Sequence, residues 1–177
     1  PERRHDPVML HEVLDLLPLA PGAVAADATL GLGGHSIEMC KRIAPGGTLV
    51  GTDWDEAMLS SARERLSAVE GVRFELIHDA YTTLGEHLER LGLFPMAILF
   101  DLGINSAQVD DPARGLSFQN EGPLDMRMDR SRGEPASALL NRLGLDEIER
   151  ILWEHGDERW ARAIARKEIG RASCRGR

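Results

Sequence analysis

The stretch between residues 23 and 53 limits what this chain can become. Residues 23–28 form a short apolar run that breaks into a glycine cluster. A helical pattern follows from His35 to Ile43 and stops at Pro45-Gly46-Gly47, and residues 48–52 form a second apolar run ending in Asp53. Apolar runs this short, bounded by glycine and proline, read as strands buried on both faces. A helix between two such strands brings the chain back in the same direction, so the strands pair in parallel.

The pattern then repeats. Asp55 is placed to cap a helix carrying Ala57, Met58, Ala62 and Leu66. Residues 72–77 alternate as a third strand, residues 82–91 read as a helix, and residues 96–100 are a fourth apolar run ending at Asp101. Ahead of them, residues 7–17 carry helical spacing until Pro18. The expected fold class is α/β, a doubly wound parallel sheet that holds ligands beyond the carboxyl ends of its strands. Residues 102–135, rich in Gly, Pro, Asp and Arg, lack a clear period and read as a long functional loop. Helical patterns return at residues 136–143, 145–155 and 157–167.

Composition narrows the class. The chain is 42% hydrophobic, enough for a core, and no apolar run approaches the roughly 18 residues of a membrane span. Cys40 and Cys174 supply neither a disulfide framework nor metal-ligand spacing, and His11, His78, His87 and His155 show no ligand spacing either, so no metal is expected. The first residues lack the apolar stretch of a secretory signal, and a cytoplasmic setting is the expectation. The net charge of −8 hides an asymmetry: residues 1–125 hold 9 basic and 20 acidic side chains, the remaining 52 residues 12 and 9. An acidic chain does not announce a nucleic-acid binder, because phosphate attraction dominates such affinity. The basic C-terminal portion leaves local contact with a polyanion open.

The glycine turn Asp27-Ala28-Thr29-Leu30-Gly31-Leu32-Gly33-Gly34-His35-Ser36 joins a strand to a helix start. Glycines there let backbone approach a ligand, and the helix N-terminus offers unpaired N–H groups. Asp53, 22 residues after Gly31, is an acid suited to ribose hydroxyls. A dinucleotide fingerprint would need glycine at position 36, which is Ser36. The G-x-G-G pattern with Asp27 before it favours S-adenosylmethionine over a nicotinamide cofactor. Asp79-Ala80-Tyr81 after the third strand suits an adenine, and Asp101 ends the fourth strand beside the place of a transferred methyl.

Several motifs together resemble one family. They are His5-Asp6-Pro7-Val8-Met9-Leu10, the glycine turn, Phe100-Asp101-Leu102-Gly103, Arg114-Gly115-Leu116-Ser117-Phe118, Gly122-Pro123-Leu124-Asp125-Met126-Arg127-Met128-Asp129 and Gly156-Asp157-Glu158-Arg159-Trp160-Ala161. In this order they are similar to the ribosomal RNA small subunit methyltransferase H (RsmH/MraW) family, over about residues 5–166. The resemblance implies a Rossmann-like methyltransferase fold with a helical inserted domain. It implies S-adenosylmethionine-dependent methylation of N4 of one cytidine in the decoding region of bacterial small-subunit ribosomal RNA. The implied cofactor contacts are Gly33, Gly34, His35, Asp53, Tyr81, Asp101 and Gln108, and the carbonyls of residues 101–106, or the Asp101 and Asn105 side chains, are the candidate acceptors for the reacting amino group. The implied partners are small-subunit ribosomal RNA or the assembled subunit, with no membrane; a homodimer is compatible.

Two features depart from the family pattern. Where members read S-S-P-Q, this chain has Asn105-Ser106-Ala107-Gln108. Beyond Arg166 the residues leave the pattern, so an incomplete sheet of four strands in the order 3-2-1-4 is expected, with impaired activity. The expected division is a cofactor domain over residues 1–110, the loop over 111–135, part of a helical insert over 136–168 and a non-family tail over 169–177. Met126 and Met128 are expected to fill a core, and Arg114, Arg127, Arg130 and Arg132 suit either RNA phosphate or ion pairs with neighbouring acids. The competing functions are a non-catalytic module that binds S-adenosylmethionine or RNA, and a nicotinamide-dependent oxidoreductase.

Overall fold

A computed structural model describes residues 7–174, arranged as two compact units divided between Ser106 and Ala107. In the first unit, α1 (Leu10–Leu16) precedes β1 (Val24–Asp27), α2 (Gly34–Ile43), β2 (Gly47–Asp53) and α3 (Glu56–Leu66). Next come β3 (Val72–His78), a 3-10 turn at Tyr81–Thr83, α4 (Leu84–Leu91) and β4 (Ala97–Leu99). The four strands are parallel in the order β3-β2-β1-β4, as the alternation of strands and helices predicts. Their register sets Ala26 beside Val50 and Ile98, and Asp27 beside Gly51 and Leu99.

Period-two alternation divides the apolar residues between two faces. Ala25, Leu49 and Leu99 point to one face, where Leu14, Met39, Ile43, Leu59, Ala62 and Leu66 of α1–α3 cover them. Ala26, Ala28 and Val50 point to the other, against Leu84 and Leu88 of α4. Both faces are therefore covered, which is the doubly wound plan. Asp55 caps α3 as its spacing predicts, its side chain accepting from the N–H groups of Ala57 and Met58. On β4 the inward residues Ala97 and Leu99 are buried while Met96, Ile98 and Phe100 are exposed.

The second unit includes α6 (Ala136–Arg142), α7 (Leu145–Gly156) and α8 (Ala161–Cys174), with Ile148, Ala161 and Ala165 buried. Arg162 ties the last two helices, donating to Asp146 at 3.1 Å and to Glu149. A five-residue helix, α5 (Ser106–Asp110), and a 3-10 turn at Pro112–Arg114 interrupt the stretch that lacks periodicity. Elements this short span barely a turn and leave no repeat to detect. The expected tail is described as far as Cys174, within α8; residues 175–177 and the family motif's His5 and Asp6 lie outside the described residues. No helix among the described residues is long and apolar enough to cross a membrane.

Candidate functional site

The site forms at the carboxyl ends of β1, β2 and β4, where the parallel sheet directs its loops. β1 ends at Asp27, which is 2% exposed and accepts from the Thr29 N–H at 3.1 Å and the Ser36 hydroxyl at 2.7 Å. Burial pushes the Asp27 carboxyl above its ordinary range, with the bonds from Ser36 and Thr29 opposing that shift. The carboxylate thereby fastens the end of β1 to the first turn of α2. Ser36 fills the position where a dinucleotide loop needs glycine, and its hydroxyl is spent on Asp27. Between them the loop turns at Gly33, whose φ of 75° is the left-handed conformation that glycine adopts without steric penalty.

Asp53 closes the loop from the neighbouring strand. Its two oxygens accept from the Gly31 N–H at 2.6 Å and the Asp55 N–H at 2.8 Å. Burial raises its pKa, opposed by these two backbone bonds. An ionised carboxylate offers about four lone-pair positions, so a ribose hydroxyl still finds acceptors here. The glycine turn and the acid are thus one hydrogen-bonded structure.

β4 delivers the second half of the site. The Asp101 N–H donates to the Thr29 hydroxyl at 2.7 Å, locking the end of β4 to the glycine turn. The Asp101 carboxylate stays half exposed and lies 3.8 Å from His35 Nδ1. Asn105 Nδ2 rests 3.4 Å from Met58 Sδ and borders Gly31. Gly31, Gly33, Gly34, His35, Asp53, Asp101 and Asn105 therefore belong to one region of the first unit. Gln108 belongs to α5 in the second unit, where it is buried.

Tyr81 follows β3, 45% exposed, and meets Phe100 edge-on, with ring centroids 6.1 Å apart at 89°. Phe100 and Thr29 are the residues that sequence reasoning passed over. Phe100 and Thr29 were read only as members of an apolar run, a loop and the family motifs, with no role of their own. Asp79 accepts from the Ala80 N–H at 2.9 Å and pairs with His87 Nε2 at 3.0 Å. Arg90 lies 2.6 Å from His87 Nδ1 and must donate, so His87 Nε2 carries the hydrogen given to Asp79. His87 is therefore a satisfied structural histidine. Among the described residues no His, Cys, Asp or Glu cluster could hold a metal ion.

In the second unit the arginines resolve as ion pairs. Arg127 grips Asp125 through Nε at 2.7 Å and Nη2 at 3.0 Å, Arg130 lies 3.4 Å from Asp125, and Arg132 lies 3.2 Å from Asp129. The Arg127 fork holds the Asp125 carboxyl down to about 2. Arg114 is itself buried, 3.8 Å from Asp111. The L-D-M-R-M-D run thus staples a loop. Met126 is 49% exposed with φ 64°, and the expectation that it fills a core fails: a left-handed turn held by the Met126 N–H to the Arg114 carbonyl points it outward.

The family model described as MraW methylase matches residues 2–173. The chain is similar to curated proteins named ribosomal RNA small subunit methyltransferase H. It is 46% identical over 164 residues to that of Pelobacter propionicus, covering 92% of this chain and 52% of the relative. The Dictyoglomus thermophilum protein is 43% identical over 172 residues, 96% of this chain and 58% of the relative. For Burkholderia vietnamiensis the identity is 40% over 171 residues, 96% and 53%. The chain thus spans about half the length of the curated relatives it matches. Among solved structures, an rRNA methylase from Streptococcus thermophilus is similar with a TM-score of 0.35 and 25% identity, over 44% of this chain and 42% of that one.

Proposed function

Because the chain belongs to the MraW methylase family, we propose that its first unit binds S-adenosylmethionine and serves the methylation of small-subunit ribosomal RNA, at N4 of one cytidine in the decoding region. The observation that carries this reading is the bond from the Gly31 N–H to Asp53, which joins the glycine turn to the acid of the next strand. In the proposed complex Gly33, Gly34 and the backbone N–H of His35 lie along the methionine part. Asp53 holds the ribose and Tyr81 covers the adenine; Gln108 is carried over as a further contact by the family resemblance alone.

The cofactor, when bound, supplies a methyl group on an electrophilic sulfonium. Cytosine N4 is a weak nucleophile because its lone pair is delocalised into the ring. The residues then act mainly by position: they hold the amino group in line and accept its hydrogens. Asp101 and Asn105 are the proposed acceptors. The half-exposed Asp101 carboxylate, anchored by its own N–H to Thr29, supports that role. The target base is taken unpaired or extruded, as enzymes on single bases do. Residues 136–168 are proposed to meet RNA, with small-subunit ribosomal RNA or the assembled subunit as partner in the cytoplasm; a homodimer is compatible.

Catalysis by this chain alone is proposed to be impaired. β4 pairs only with β1 among the described residues, and Met96, Ile98 and Phe100 lie exposed along it. The test is incubation with methyl-labelled S-adenosylmethionine and unmodified small subunits, with photo-crosslinking in parallel. The expected result is cofactor crosslinked to residues 1–106 with little label on RNA. Turnover equal to a full-length relative's overturns the impairment. Label on another base overturns the substrate, and absence of crosslinking by folded protein overturns the cofactor.

A further inference from the structure

Two contacts seat the start of the described chain on the glycine turn. The Pro7 ring lies against Gly34, where an added Cβ would come within 2.6 Å of Pro7 Cγ. The Val8 carbonyl lies 2.9 Å from His35 Nε2. A carbonyl oxygen only accepts, so Nε2 carries the hydrogen; Nδ1 lies 3.8 Å from Asp101 Oδ2, beyond hydrogen-bond distance. The ring is 8% exposed, whereas Val8 and Met9 are each 62% exposed. Met9 then enters α1 at φ 51°, a conformation sparsely populated by residues other than glycine. The segment is thus held by its backbone and by Pro7, and its outward side chains do not anchor it.

The His35 ring lies among three separated pieces of chain: it is hydrogen-bonded to residues 7–9, it belongs to the first turn of α2, and it borders the end of β4. These border the glycine turn and Asp101, which in the reading above receive the methionine part of the cofactor. We propose that His35 is a positioning residue that latches residues 7–9 across the methionine end of the S-adenosylmethionine site, with its Nε2–H on the Val8 carbonyl and its other ring edge against Asp101. The inference rests on the cofactor reading, and adds a role for the imidazole where that reading used only the backbone N–H. Residues 7–9 become part of the wall of the site, although they lie before the first strand.

The latch is tested by calorimetric titration of this chain with S-adenosylmethionine. The variants are His35→Phe, His35→Gln, removal of residues 1–9, and that removal combined with His35→Phe. His35→Phe keeps the ring volume and loses both polar edges, and binding is expected to weaken about tenfold, the scale of one buried hydrogen bond. His35→Gln retains an N–H donor for Val8 and recovers most of the loss. Removing residues 1–9 weakens binding to a similar degree, and the double variant is no weaker than either single one, because both changes undo the same contact. Hydrogen exchange supplies a second readout: cofactor protects the amides of α1 in the unaltered chain and in His35→Gln, and not in His35→Phe. Unchanged affinity in His35→Phe, or losses that multiply in the double variant, overturn the latch and leave the cofactor reading intact. Absence of saturable binding by the folded unaltered chain overturns the cofactor reading, and the latch with it.

Discussion

Replacing Asp27 separates two things that a buried carboxylate does. Its oxygens satisfy the Thr29 N–H and the Ser36 hydroxyl, and Ser36 is fully buried. Asp27→Ala leaves the buried Ser36 hydroxyl and the part-buried Thr29 N–H without their acceptor, at about 1–3 kcal/mol each. A loss of about 4 kcal/mol is expected, a large share of the roughly 5–15 kcal/mol that holds a domain together. Asp27→Asn keeps the shape and one acceptor and removes the buried charge, so it is expected to cost only about 1 kcal/mol near neutral pH. The pH dependence follows the sign of the shift. Burial raises the carboxyl above its ordinary value of 3.8, so the folded chain holds the proton more tightly than the unfolded one. The stability from that proton is complete below the ordinary value and is lost as pH rises through the raised one. Asp27→Asn should remove this slope and leave the same-signed slope of Asp53, whose carboxyl burial also raises. Urea unfolding followed at Trp54 reads the effect. A Trp153→Phe/Trp160→Phe background is suitable because both side chains are exposed. Equal midpoints for the Ala and Asn variants near neutral pH, or an Asn variant that keeps the full slope, would refute the reasoning.

Three further outcomes follow from other parts of the chain. Gly115→Ala puts a Cβ 2.0 Å from the Pro123 carbonyl at φ 67°, and should destabilise the second unit by at least about 2 kcal/mol. Hydrogen exchange should show lost protection there with the first unit unchanged, and unaltered protection throughout contradicts the close backbone approach. Asp125 has the opposite pH behaviour from Asp27. The Arg127 fork lowers its pKa to about 2, so its stabilisation is complete above the ordinary carboxylate value and is lost as pH falls through about 2. Acid titration of Trp153 and Trp160 fluorescence should show a transition that Asp125→Asn loses; an identical acid limb in the variant contradicts it. Burial pushes the Cys40 thiol up to about 12, so in a Cys174→Ser background it should resist thiol reagents until the chain is unfolded in urea. Rapid labelling of the folded chain would show Cys40 to be reachable.

The strands were legible because a buried parallel strand is a short apolar run between breakers, and all four such runs became strands with Asp53 and Asp101 at or just beyond the ends they were read to occupy. The order of glycine turn and Asp53 was legible for the same reason, since strand, turn and acid fall within one β–α–β unit, whereas the Gly31 N–H bond to Asp53 was not. What the sequence left unread is contact at long separation. The Thr29 hydroxyl under the Asp101 N–H joins residues 72 apart, and His35 against Val8 joins residues 27 apart. No local period records either. The arginines around Asp125 and Asp129 were ambiguous because one residue type serves phosphate and carboxylate alike, and only burial and distance decide. Met126 was misread because a left-handed turn overrides the apolar character of the side chain.

The account stands on a cofactor site made by the glycine turn and Asp53, and calorimetric titration of this 177-residue chain with S-adenosylmethionine tests it most directly, with Asp53→Ala as the control. The account predicts saturable one-to-one binding that is lost in the variant, because the carboxylate both holds the Gly31 N–H and receives the ribose. Binding that survives in Asp53→Ala with unchanged affinity, or a folded chain that binds a nicotinamide dinucleotide instead, would contradict it.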